Sequence, residues 1–91
     1  MNIDHTLAER GKRYGTFQGH SEIAQQLKAI IRGYEAVRGC DLAPDQREAL
    51  EMIAHKIARI LNGDPDYADS WVDIAGYAQL IANRLEDKGP K

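Results

Sequence analysis

Two groups of acidic residues offer the first chemistry. Glu48 and Glu51 lie three apart, which puts both side chains on one face of a helix. Asp66, Asp69 and Asp73 follow some fifteen residues on, with the last two four apart. Two neighbouring helices that each present a carboxylate pair can hold Mg²⁺, a hard cation that takes oxygen ligands and borrows substrate phosphates. The plain alternative is a solvated face, with some acids sitting near helix starts where negative charge is favoured anyway. Basic residues lie between the two groups. Lys56 and Arg59 are three apart on the flank of the helix that carries Glu48 and Glu51, and both side chains are natural phosphate donors. A pairing of Lys56 with Asp69 or Asp73 on the next helix is the structural reading of the same residues.

The segment Arg10-Gly11-Lys12-Arg13-Tyr14-Gly15 adds three cations and an aromatic ring on a glycine-rich stretch. Backbone N–H groups beside glycine suit anions, and Tyr14 or Phe17 can stack on a base. The segment has no Gly-Lys-Ser/Thr ending, so it is not a formal phosphate loop. His5, His20 and His55 are scattered. His55 sits four after Glu51 but lacks the second histidine of a zinc-type pair. Cys40 is the single cysteine, so no intrachain disulfide can form, which fits a reducing compartment.

These residues need helices to position them. Asn2 to Arg10 reads as a short helix, and Gly11 to Gly19, with three glycines, as a loop. Ser21 is the expected cap of the next helix, along which Ile23, Leu27, Ile30, Tyr34 and Val37 draw one apolar stripe. Gly39 stops it. Pro44 opens a further helix with Leu50, Ile53, Ile57, Ile60 and Leu61 as its buried stripe, and Gly63 is expected to end it in a left-handed conformation. Asp64-Pro65 reads as a new start. Trp71, Ile74, Ala75, Ala78, Ile81, Ala82 and Leu85 follow at helical spacing, while Leu80 lies off that stripe. No strand-like alternation and no repeat is visible. The expected fold is all-α: a small bundle of three main helices plus a short N-terminal segment. It forms one domain over residues 1–91, with residues 1–20 as an N-terminal arm and glycine-rich loop and 86–91 as a frayed tail.

Ninety-one residues make a thin core, so completion by homo-oligomerisation is expected. The net charge of -2 argues against a general nucleic-acid binder. No apolar run reaches the ~20 residues that span a bilayer, and Met1 to Arg10 holds no apolar secretion core. The expected place is the cytosol.

Three segments carry a resemblance: Tyr14-Gly15, the run Glu48 to Arg59, and Asp69-Ser70-Trp71-Val72-Asp73-Ile74-Ala75-Gly76-Tyr77-Ala78. From Glu9 to Leu85 the chain resembles a family of short, uncharacterised phage and prophage proteins. That family is more distantly similar to phage nucleotide-modification-associated domains, which share a Tyr-Gly, a Lys-x-x-Arg and an Asp-x-x-x-Asp followed by Tyr. Both look related to the all-α MazG-type nucleoside triphosphate pyrophosphohydrolases. The MazG resemblance implies Glu48 and Glu51 as a first metal-binding pair and Asp69 and Asp73 as a second. Two departures weaken it: Arg47 stands where a further acid is expected, and the second pair is two aspartates spaced by four.

The expected function is therefore a phage-encoded nucleotide-binding protein that sequesters a nucleotide-derived host defence signal, working in the host cytoplasm without a required cofactor. Tyr14, Lys56, Arg59, Asp69, Asp73 and Tyr77 are the expected ligand residues, clustered near the junction of the last two helices. Lys56 and Arg59 would bind phosphate, Tyr14 would stack, and the aspartates would accept from ribose or base. One alternative is a Mg²⁺-dependent pyrophosphohydrolase using Glu48, Glu51, Asp69 and Asp73. The other is a protein–protein interaction module.

Overall fold

The computed structural model describes residues 3–86; the proposed frayed tail falls almost wholly outside them. Four helices follow one another: α1 (Ile3–Tyr14), α2 (Phe17–Arg38), α3 (Pro44–Asn62) and α4 (Ala68–Leu85). No strand occurs among the described residues. None of the four helices is long and apolar enough to cross a membrane.

The N-terminal arm departs most from expectation. Instead of a nine-residue loop, α1 runs through Gly11 to Tyr14, and only Gly15 and Thr16 separate it from α2. Gly11 has nothing within 4 Å of where a side chain would stand, so the helix simply passes over it. Gly15, at φ 76°, makes the actual break in the left-handed region. Thr16, not Ser21, caps α2 by accepting from the Gly19 N–H at 3.1 Å. Ser21 already lies inside the helix, and its hydroxyl bonds back to the Phe17 carbonyl at 2.8 Å.

Of the remaining start and stop signals, Gly39 and Pro44 hold, while Gly63 and Asp64 act differently from expectation. Gly39 closes α2 at φ 64°, with its own N–H and that of Cys40 turned back onto Ala36 and Glu35. Pro44 opens α3, where Gln46 accepts from the Ala43 N–H at 2.9 Å. Gly63 follows α3 but not as a left-handed cap: its φ is -136°. It is needed for space, because a side chain there would run into the backbone of Arg13 and Tyr14. Asp64 does not start α4. Its carboxylate takes the Asp66 N–H at 2.9 Å in a local turn, and the helix begins at Ala68.

α3 is the centre of the fold. It packs against α2, α4 and α1, whereas α2 and α4 do not touch. The result is an open layer of helices. Its radius of gyration is 15.3 Å, against about 12 Å for a compact chain of this length. The inner side chains are small: Ala24, Ala49, Ala54 and Ala58, with His20 and Ser70 among them. No large side chain is fully buried among the described residues.

The α2 stripe is rotated relative to expectation. The face against α3 holds His20, Ala24, Leu27, Ile31 and Glu35. Ile30, Tyr34 and Val37 instead line an open groove around Gly33. On α4, Trp71, Ala75, Ala78 and Leu85 are exposed, while Ile74, Ile81 and Ala82 pack partly. Two arginine–carboxylate pairs tie the layer together. Arg47 clamps Glu35 across α2 and α3, with Nε donating at 3.0 Å, and Arg84 clamps Asp45 across α3 and α4, with Nη2 donating at 2.8 Å.

Candidate functional site

The site forms where the α1–α2 corner meets the C-terminal half of α3. Asn62, the last residue of α3, holds the corner. Its Nδ2 donates to the Tyr14 carbonyl at 2.7 Å and to the Thr16 carbonyl at 2.8 Å. The Asp64 N–H adds a bond to the Arg13 carbonyl at 2.7 Å. Gly15 and Gly19 leave room for the Asn62 side chain, which a Cβ at either position would strike.

This docking forms a half-open cavity of about 490 Å³. Its lining mixes apolar walls with Arg10, Tyr14, Phe17, His20, His55 and Arg59. The Arg59 guanidinium lies 4.2 Å from the centre of the Tyr14 ring. Tyr14 meets Tyr67 edge-on at 6.1 Å, and Arg13 covers the Tyr67 ring at 4.4 Å. The four residues form a row in which two touching rings are capped by a cation at each end. Phe17 stands at the cavity with 81% of its surface exposed, an unshielded aromatic face.

His20 is the one buried residue of the lining, and the half-buried His55 lies against it. His20 Nε2 and His55 Nδ1 are 3.3 Å apart, with ring centres at 4.4 Å. Burial, reinforced by Arg59 and Lys28, holds the His20 pKa below its ordinary value. His55 is pushed down to about 4, first by burial, then by His20 and Arg59. Both rings are therefore neutral at neutral pH. A cavity with two cations, neutral hydrogen-bonding rings and an open aromatic face suits an anion that carries a flat apolar group.

The six expected ligand residues are divided by this geometry. Tyr14 and Arg59 share the cavity wall. Asp69 joins them only at one remove, taking the Tyr67 hydroxyl hydrogen bond at 2.8 Å. Lys56, nearly covered, is paired with Asp73 at 3.0 Å. Asp73 and Tyr77 face a separate shallow groove with Val72, Gly76 and Leu80. The carboxylates of the metal alternative are likewise apart. Glu48 is exposed, Glu51 lies 4.0 Å from Arg32, and Asp69 and Asp73 have the partners just named. Among the described residues, no three His, Cys, Asp or Glu side chains gather as a metal-binding set.

Sequence marked Arg10 only as one cation of the Arg10–Gly15 segment, and did not join His20 and His55 to it as a site. The histidines stand 35 residues apart, and only the α2–α3 contact unites them. One signal was available: His20 lies on the same helical face as Ala24 and Leu27, and His55 beside Ala54 and Ala58, so two histidines border small-residue faces.

Residues 4–85 match a family described as a domain of unknown function, DUF6378, and the chain belongs to that family. No curated protein and no solved structure matches it.

Proposed function

We propose that this protein binds a nucleotide or nucleotide-derived small molecule in the cavity at the α1–α2 corner. The observation that carries the reading is the lining itself: Arg10 and Arg59 beside an open aromatic face, in about 490 Å³. Arg10 and Arg59 bind phosphate, Phe17 and Tyr14 receive the base, and His55 contributes a hydrogen bond. The resemblance to phage proteins extends this to sequestration of a host defence signal in the cytoplasm of a bacterium.

Binding is favoured over Mg²⁺-dependent pyrophosphohydrolysis because Glu48, Glu51, Asp69 and Asp73 are separately engaged or exposed. A thermal-shift panel of mononucleotides, cyclic dinucleotides and ADP-ribose, with and without Mg²⁺, tests the choice. A ligand at one hundred times its Kd stabilises the fold by about 2.7 kcal/mol. The expected result is one such ligand, equally effective without Mg²⁺ and recovered intact. Phe17→Ala should weaken it by about 1–3 kcal/mol. A panel with no shift overturns the binding reading, and Mg²⁺-dependent release of pyrophosphate favours the enzyme.

We further propose that the working form is a homo-oligomer. The chain exposes 6588 Å², whereas a folded monomer of 10.2 kDa exposes about 5,300 Å². The excess is larger than the ~800 Å² that each partner buries in a standard interface. It is also apolar in part: Val37 is 81% exposed, and Leu80 66%.

A further inference from the structure

We propose that His20 is a positioning residue that fixes the tautomer of His55, so that His55 presents a neutral Nε2–H donor to a phosphoryl oxygen in the cavity. The ligand half of this statement rests on the binding reading above; the tautomer half does not.

A neutral imidazole carries one N–H and one bare nitrogen. At 3.3 Å, His20 Nε2 and His55 Nδ1 share one proton between two acceptors, so one ring donates and the other accepts. Suppose His55 donates from Nδ1. His20 then accepts at Nε2 and carries its own proton on Nδ1. That atom is buried without any partner, in a residue only 6% exposed. An orphaned buried N–H is the costly case. Suppose instead that His20 donates from Nε2. Its orphan is then a bare nitrogen, and both rings hold the Nε2–H form, which is also the intrinsic preference of histidine in water. Both considerations select the second arrangement.

The consequence falls on His55. With Nδ1 accepting from His20, its proton must sit on Nε2. Nε2 has no partner in the protein among the described residues, and His55 lines the cavity beside Arg59. The cavity thus offers a fixed uncharged donor next to a guanidinium. That pairing suits an anionic oxygen, which takes a charge-assisted bond from each. A cationic or donor-only ligand meets the wrong group.

Long-range ¹H–¹⁵N correlation spectra of the free protein at pH 7 read both tautomers directly. The expected result is two neutral rings, each protonated at Nε2. A proton on His55 Nδ1, or a charged ring, overturns the assignment. His20→Met keeps the volume and removes the donor. It should let His55 populate both tautomers and weaken inorganic pyrophosphate binding roughly tenfold, and His20→Gln, which keeps an N–H, should restore both. Unchanged tautomer and affinity in His20→Met overturn the positioning role. If His20→Met fails to fold, the spectrum of the parent protein decides alone. If the tautomers are as stated but neither pyrophosphate nor any nucleotide binds, the ligand reading fails and the tautomer lock stands.

Discussion

Single side chains do unusual amounts of the holding here, because the interior offers mostly methyl groups. Asn62 is the strongest case. Its amide serves two carbonyls of the α1–α2 corner at 2.7 and 2.8 Å. Asn62→Ala leaves both without that donor, and each lost bond is worth about 0.5–1.5 kcal/mol. Urea unfolding should show a loss of about 1–3 kcal/mol, and unchanged stability would falsify the clamp. Gly15→Ala should damage the same corner. It forces φ 76° on a residue with a Cβ, at about 1–2 kcal/mol, and points that Cβ at Asn62. The histidine pair gives the pH dependence its sign. Both pKa values are lowered in the fold, His55 to about 4. Unfolded histidines take up protons near 6.5, so the unfolded chain binds more protons below that pH. Stability from this pair is complete above pH 6.5 and drains away as the pH falls toward 4. Lys28, Lys56 and Arg59 all add to the effect at His55. His55→Gln should flatten the slope of stability against pH in that window, and an unaltered slope assigns the dependence to other groups.

Helices carry the next level, and here the sequence was partly legible. Helix stops and starts that depend on one residue's backbone, Gly39 and Pro44, could be read directly. Gly11 and Gly63 could not, because a glycine in a helix and a glycine at a tight approach look alike without the neighbour. The α2 stripe could be drawn in two adjacent registers. Ile23, Leu27, Ile30, Tyr34 and Val37 make a good apolar line, but Ala24, Leu27 and Ile31 make the one that meets α3. Alanine and histidine are weak signals of burial, so the more apolar of the two lines was the easier one to draw. For the site, Arg59 as a cation and Tyr14 as a ring could be picked out by residue type, and the structure sets the two together on one cavity wall. The histidine pair was not, since it exists only through the pairing of α2 with α3. Lys56 and Asp73 illustrate the remaining ambiguity. Across α3 and α4 they form an ion pair at 3.0 Å, with the lysine side chain 11% exposed and the aspartate 47%. Asp73→Asn should cost about 1 kcal/mol, limited by the solvent reaching the carboxylate. Lys56→Met should cost less, because it removes the more deeply covered charge. A double-mutant cycle in urea measures the coupling, and a value near zero leaves the pair as surface decoration.

At the scale of the whole molecule, the open layer calls for a cover. The groove of Ile30, Tyr34 and Val37 has Gly33 at its floor with nothing within 4 Å, so a second helix can approach closely there. Tyr34→Glu places a charge at the middle of that groove. In light scattering it should convert the homo-oligomer proposed above to a monomer with its helical circular dichroism retained; a Tyr34→Glu protein that stays oligomeric moves the interface to another face, and a parent protein that is already monomeric overturns the proposal. A different consequence follows from where Asn62 sits. The carbonyls it holds belong to Tyr14 and Thr16, 48 and 46 residues earlier. At a synthesis rate of roughly 5–20 residues per second, the corner waits on the order of 2–10 seconds for its clamp to be made. During that interval Arg10, Tyr14 and Phe17 exist without the wall that α3 supplies. A nascent chain therefore has no cavity at this corner until the third helix is complete, and the ligand proposed above could act on folding only after that moment.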